Sequence, residues 1–193
     1  MRDVATAAAR AVLGASIAAH GTQKLYGWFD GPGIEGATHF MGVLGFHPGE
    51  RYARLSASTE IAAGVLIATG TLGPVGPALL ASVMTTAAGS VHVQNGYFNE
   101  KKGFELNTMY ALAALLLAAN GFGRISVDHA IGLRKRSTPL LGTLGIIGGI
   151  AGGLFMLAQR RPQEPSSVSA PSNTTQTETG TIDSSYDKAT MAE

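Results

Sequence analysis

The sequence predicts an all-α membrane protein, built as a four-helix transmembrane bundle with an added fifth transmembrane helix and a disordered C-terminal tail. Two observations predict this class. Only 14% of the 193 residues are charged, against about a quarter in ordinary soluble domains. Five apolar segments also approach the ~20 residues that a helix needs to cross a bilayer.

The predicted membrane helices occupy residues 4–21, 53–72, 75–93, 104–122 and 140–157. The first segment has the basic start of a signal peptide, but Arg10 interrupts its apolar run, so we expect a retained helix rather than a cleaved leader. Residues 38–46 are too short to span a bilayer and predict a re-entrant or interfacial piece.

Changes in composition predict three parts of the chain. Residues 1–132 form the four-helix membrane domain, and residues 133–158 hold a basic loop and the fifth helix. Residues 159–193 are rich in Ser, Thr and Pro. Such a segment has too little apolar surface to offset the entropy of ordering, so the tail should be disordered.

Composition also excludes several kinds of chemistry. The chain has no cysteine, which excludes disulfides, thiolate metal sites and iron–sulfur clusters within it. Its histidines do not follow a metal-binding spacing, so no metal site is predicted. The net charge of +1, without a basic patch, predicts no nucleic-acid partner. The lipid bilayer is the partner that the composition predicts.

Five ionisable residues should lie at one end of the bundle, because consecutive helices run in opposite directions. They are His20, Lys24, Glu60, His92 and Glu105. Ionisable groups at membrane depth are costly, and they usually face a partner or a wet cavity. The cluster therefore predicts either mutually satisfied pairs at a membrane boundary or a proton-handling or polar-ligand site.

A second polar group is expected at the opposite end of the bundle. Arg10 lies ten residues before His20, about 15 Å deeper along a helix. It should pair with a helix-end carbonyl or with Asp128, in preference to binding an anionic ligand.

Glycines recur every fourth residue in the fifth helix, at Gly145, Gly149 and Gly153. Such a stripe lets another helix approach closely. Docking onto the bundle and formation of a homo-oligomer both remain open from this pattern.

An ordered set of short motifs spans about two thirds of the chain. They are Arg10, His20-Gly21, Lys24-Leu25, Gly31-Pro32-Gly33, Glu60 with Gly64, His92 with Asn95-Gly96-Tyr97-Phe98, Gly103-Phe104-Glu105-Leu106, and Gly121-Phe122-Gly123 through Asp128. This set resembles the DoxX family of small bacterial membrane proteins, in particular its actinobacterial, mycobacterial-like members.

The resemblance implies a four-helix core in the plasma membrane with a cytoplasmic N-terminus. It also implies a link to quinone-coupled oxidation of sulfur compounds, or to an oxidative- and thiol-stress assembly with a superoxide dismutase and a rhodanese-like sulfurtransferase. The fifth helix and the tail depart from the family pattern.

Three functions are compatible with these features. The favoured one is an integral membrane subunit or anchor of a redox-linked assembly, with a quinone as candidate ligand. No other cofactor is encoded, and a complete oxidoreductase needs an electron carrier, so a free-standing enzyme is disfavoured. The alternatives are a non-catalytic scaffold and a small-molecule transporter; the transporter lacks an inverted repeat.

The first prediction concerns membrane orientation. The basic run at residues 134–136 should stay cytoplasmic, which places the N-terminus inside and the tail outside. In this cysteine-free chain, a cysteine introduced at Ser172 should react with an impermeant reagent added from outside, and one at Ser137 should not. The reverse labelling pattern would contradict the predicted orientation.

Overall fold

The computed structural model describes residues 1–133 and 139–161. Its helices are α1 (Arg2–Tyr26), α2 (Gly33–Val43), α3 (Gly49–Thr69), α4 (Val75–Ala87), α5 (Glu105–Asn120), α6 (Val127–Ala130) and α7 (Pro139–Ala158). A π-helical segment, Ala88–His92, continues α4. The described residues contain no strand, which confirms the predicted all-α class.

Helices α1 and α3 pack against each other through small residues. A Cβ atom added at Gly64 would lie 2.5 Å from the backbone nitrogen of Ala18. One added at Gly21 would lie 2.6 Å from the carbonyl oxygen of Ala57. The two backbones therefore touch along antiparallel helices, which any side chain larger than hydrogen at these positions would prevent.

The fifth predicted helix, α7, packs along α4 and α5. Gly149 lies on the backbone of Ala78 and Gly153 on that of Ser82, so α7 runs parallel to α4. A Cβ added at Gly148 would meet no other atom within 4 Å. The glycine stripe is thus used for docking within the chain, while Gly148 faces outward.

The helices place two groups of loops at opposite ends of the bundle. The end that contains Arg10 also contains the α3–α4 turn and the end of α5, because Arg10 donates to the carbonyl of Ile67. The other end contains Lys24, helix α2 and the end of α7, where the amide of Arg161 donates to the carbonyl of Gly45. We call these the Arg10 end and the Lys24 end.

Within the described ranges, α7 is the one helix long and apolar enough to cross a bilayer, with a mean hydropathy of 2.0. Helices α4 and α5 have 13 and 16 residues, and α1 carries Arg10 and Lys24. The all-α class is therefore confirmed, and the four-plus-one transmembrane bundle stays a prediction. The basic run at 134–136 and the tail from 162 onward lie outside the described residues.

Two neighbouring glycines of α7 give a matched test of this packing. Gly149→Ala would place a Cβ 3.0 Å from the carbonyl carbon of Ala78, so we expect it to lower the stability of the bundle by about 1–3 kcal/mol. Gly148→Ala adds the same methyl group in open space and should leave stability unchanged or slightly raised. Thermal melting of both variants in lipid nanodiscs measures the difference. Equal melting temperatures would contradict the docking of α7 on α4.

Candidate functional site

A cavity of about 540 Å³ opens at the Lys24 end of the bundle. Its walls come from α2, α3, α4 with its π segment, and α7, and Lys24 of α1 borders it. The apolar part of the lining includes Phe40, Met41, Leu44, Phe46, Tyr52, Leu55, Leu79, Val83, Ala87, Val91, Phe155 and Met156. We call this space the Glu60 cavity, because Glu60 is its buried acidic residue.

Glu60 lies in the middle of α3 and is almost completely buried, with 6% of its side chain exposed against 29% for Lys24. Its Oε1 accepts a hydrogen bond from the ammonium group of Lys24. The same ammonium lies 3.4 Å from the hydroxyl of Ser56. The second carboxylate oxygen, Oε2, is buried and has no hydrogen-bond partner among the described residues.

His92 borders the same cavity from the π segment that ends α4. Single π turns inside helices are rare and are frequent at functional sites. The ring Nδ1 of His92 lies 2.7 Å from the carbonyl oxygen of Lys102. A carbonyl only accepts, so Nδ1 carries the proton, and Nε2 of the neutral ring is left to accept.

Hydroxyl groups of α3 and α4 complete the polar part of the wall. Thr59 donates to the carbonyl of Leu55 at 2.7 Å. Thr86 and Ser90 likewise donate to the carbonyls four residues earlier, at 2.9 and 2.7 Å. Each of these hydroxyls donates its one proton to a backbone carbonyl, so its oxygen remains available only as an acceptor.

Two residues of the predicted cluster do not line the cavity. His20 is exposed, and its Nδ1 lies 3.2 Å from Oε1 of Gln23. Glu105 accepts a hydrogen bond of 2.9 Å from the amide of Asn99 and so fixes the loop before α5. The structure brings together Lys24, Glu60 and His92 and leaves His20 and Glu105 outside the cavity.

The polar residues of the Arg10 end are held by backbone groups. Arg10 is 2% exposed; it donates to the carbonyl of Ile67 at 3.2 Å and to that of Ile125. Its guanidinium lies 5.3 Å from the ring centre of Phe122. Of the two predicted alternatives, the structure shows pairing with helix-end carbonyls.

Asp128 does not form an ion pair with Arg10 in the part of the chain that the structure describes. Its two carboxylate oxygens accept from the amides of Leu72 and Gly73, at 2.9 and 2.7 Å. The segment after α5 is thereby fastened to the α3–α4 turn. The expected pairing of Arg10 with Asp128 is replaced by two separate links to the backbone.

Several cavity residues were not singled out from the sequence. Ser82, Thr86 and Ser90 line the cavity, and their spacing of four residues would have marked one polar face of an otherwise apolar helix. Arg160 was also missed. It donates to the carbonyl of Leu44 at 2.8 Å, and its guanidinium lies 5.9 Å from the ring centre of Phe46, so it holds the end of α7 on the cavity wall.

Residues 5–93 match the family model named DoxX. This part of the chain is a DoxX domain. Comparison with curated proteins and with solved structures found no match. The family and the apolar helix α7 together identify a membrane protein.

The family match bears on the cavity in two ways. Lys24, Glu60 and His92 all fall inside the DoxX region, whereas α7 lies beyond it and supplies Gly152, Phe155 and Met156 to the wall. In the part of the chain that the structure describes, no three His, Asp or Glu side chains lie close enough to hold a metal ion. The matched region therefore supplies the polar groups, and α7 supplies apolar surface.

The unequal burial of Lys24 and Glu60 predicts unequal effects of removing either one. Lys24→Met leaves a buried carboxylate without its cation, which should cost about 3–5 kcal/mol. Glu60→Gln leaves an ammonium whose stem can extend toward water, so the loss should be about 1 kcal/mol. The double variant should melt close to Glu60→Gln.

The exposed pair of Arg54 and Glu50, 2.9 Å apart on α3, is the matched control. Arg54→Met should cost about 0.5 kcal/mol or less. Melting temperatures of the full chain in nanodiscs give the ranking. A Lys24→Met variant as stable as Arg54→Met would show that the Glu60 carboxylate is not dependent on this ion pair.

Proposed function

We propose that this chain is a multi-pass plasma-membrane subunit, with a cytoplasmic N-terminus, that anchors a redox-linked assembly and binds a ligand with a quinone-type headgroup in the Glu60 cavity. The observation that carries the proposal is the buried, half-satisfied carboxylate of Glu60 beside a cavity of about 540 Å³. A purely structural ion pair needs no such space next to it.

The outer surface of the helices supports the multi-pass part of this proposal. Large apolar side chains are exposed on α1, α3, α5 and α7. On α5 they are Leu106, Met109, Leu112, Leu115 and Leu116. Soluble monomers rarely expose contiguous apolar patches larger than a few hundred Å². Lipid chains would cover this surface, including on helices whose own composition is too polar or too short to identify them as spans.

The residues of the cavity fit a quinone-type ligand. Its volume lies within the range of about 300–1,000 Å³ that is usual for small-molecule sites. Aromatic and aliphatic side chains would hold the ring and the start of an isoprenoid chain, while Lys24, Glu60 and His92 border the polar side. A bound quinone would supply two-electron, two-proton redox chemistry; this chain would orient it and exchange hydrogen bonds with its oxygens.

The role of subunit is favoured over that of free-standing enzyme. A redox reaction of a bound quinone needs a second redox group to exchange electrons with it, and the sequence contains no cysteine for an iron–sulfur cluster. That group would then be carried by another member of the assembly, for which the resemblance suggests a soluble superoxide dismutase and a rhodanese-like sulfurtransferase as partners. In the alternative, a non-catalytic scaffold, the cavity would be dispensable.

Filling the cavity tests the proposal. Ala87 lines the cavity, so Ala87→Phe should remove most of the space for a ligand. Ala15→Phe adds the same ring on the exposed face of α1 and serves as the control. Quinone extracted from the purified full chain in native lipid discs, per mole of protein, should fall several-fold in Ala87→Phe and stay unchanged in Ala15→Phe. If the original chain and both variants all carried the same background amount of quinone, the scaffold would be favoured.

A further inference from the structure

Several hydrogen-bonding groups around the Glu60 cavity can act only as acceptors. Oε2 of Glu60 has no donor among the described residues, and a carboxylate only accepts. Thr59, Thr86 and Ser90 have already donated their hydroxyl protons to backbone carbonyls. In the neutral ring of His92, Nδ1 donates to the carbonyl of Lys102 and Nε2 accepts. These groups of the wall can therefore only accept a hydrogen bond from a ligand.

The donors that border the cavity are the ammonium of Lys24 and the hydroxyls of Tyr52, Ser56 and Ser82. The ammonium of Lys24 already serves Glu60 and lies near Ser56. The hydroxyls of Ser56 and Ser82 can turn to donate or to accept. A ligand whose polar group only accepts would leave Oε2 of Glu60 buried without a partner, which is unfavourable.

We infer that the Glu60 cavity selects a neutral ligand that donates a hydrogen bond from an aromatic hydroxyl group: a phenol, or the reduced, hydroquinone form of a quinone. This inference rests on the proposed function and specifies which form of the ligand the site holds. The terminal torsion of a glutamate is broad, so a small rotation of the Glu60 carboxylate brings an oxygen toward a donor in the cavity.

The charge of the site favours a neutral donor over a cation. Glu60 and Lys24 form a pair with no net charge, so a second cation would compete with Lys24 for the same carboxylate. The walls favour an aromatic headgroup, because Phe40, Phe46, Tyr52 and Phe155 line the cavity. Rings prefer offset or edge-on contacts with other rings, which this lining can provide.

Three probes that differ in one group test the inference in the full chain. They are para-nonylphenol, its methyl ether para-nonylanisole, and para-nonylbenzylamine, which is a cation at neutral pH. Binding is measured by equilibrium dialysis against nanodiscs with and without protein, so that partition into lipid is subtracted. The phenol should bind about ten-fold tighter than the methyl ether, as a hydrogen bond to a charged acceptor implies. It should also bind tighter than the amine.

Variants assign the preference to Glu60. The ten-fold preference should disappear in Glu60→Gln, and in Lys24→Met/Glu60→Gln if the single variant does not fold. Glu105→Gln, which changes a carboxylate outside the cavity, should keep it. Decylhydroquinone, kept reduced under argon, should likewise bind tighter than decylquinone.

The outcomes separate this inference from the proposed function. Equal binding of phenol and methyl ether, or tighter binding of decylquinone or of the amine, overturns the inference and leaves a ligand-binding cavity in place. If no probe binds above the protein-free discs, both the inference and the proposed function fail. If Glu60→Gln still binds the phenol more tightly than the methyl ether, another group causes the preference and the inference is overturned.

Discussion

The close contact between α1 and α3 determines where the buried charges of this protein lie. Gly21 and Gly64 allow the two backbones to touch, and that contact fixes the register of the helices. At one end, Arg10 then reaches the carbonyl of Ile67; at the other, Lys24 reaches Glu60. Sliding α1 by one turn, about 5.4 Å, would break both links. The small residues of α1 therefore determine which partners its polar residues reach.

The cavity depends in turn on the docking of α7. Gly149 and Gly153 bring α7 onto α4, so that Phe155 and Met156 reach the cavity wall. Arg160 then fastens the end of the helix to the carbonyl of Leu44. Since the DoxX match ends at residue 93, part of the wall comes from a helix outside the matched region. A chain without α7 would leave that side of the cavity open to lipid.

The sequence predicted the helices well because long apolar runs and breakers such as Pro74 and Pro139 mark them directly. It also placed the charges at the correct ends, because antiparallel order fixes depth. The depth of a residue along a helix does not determine the direction in which its side chain points around the helix axis. His20 lies roughly a quarter turn from the face of α1 that carries Gly14 and Gly21, so it remains exposed. The links of Asp128 to the α3–α4 turn depend on a tertiary contact that no local pattern encodes.

The two ends of the bundle show how a structural buried charge differs from a candidate functional one. Arg10 and Glu60 are both buried, and each keeps one polar atom without a partner among the described residues. Arg10, however, borders neither the Glu60 cavity nor the smaller cavity of about 190 Å³ near Phe122; its guanidinium is surrounded by carbonyls and a ring. Glu60 borders space that a ligand can enter. Burial and incomplete hydrogen bonding are therefore not enough to mark a site. The adjoining space, lined by hydrogen-bonding groups and aromatic rings, makes Glu60 the residue through which a ligand would be recognised.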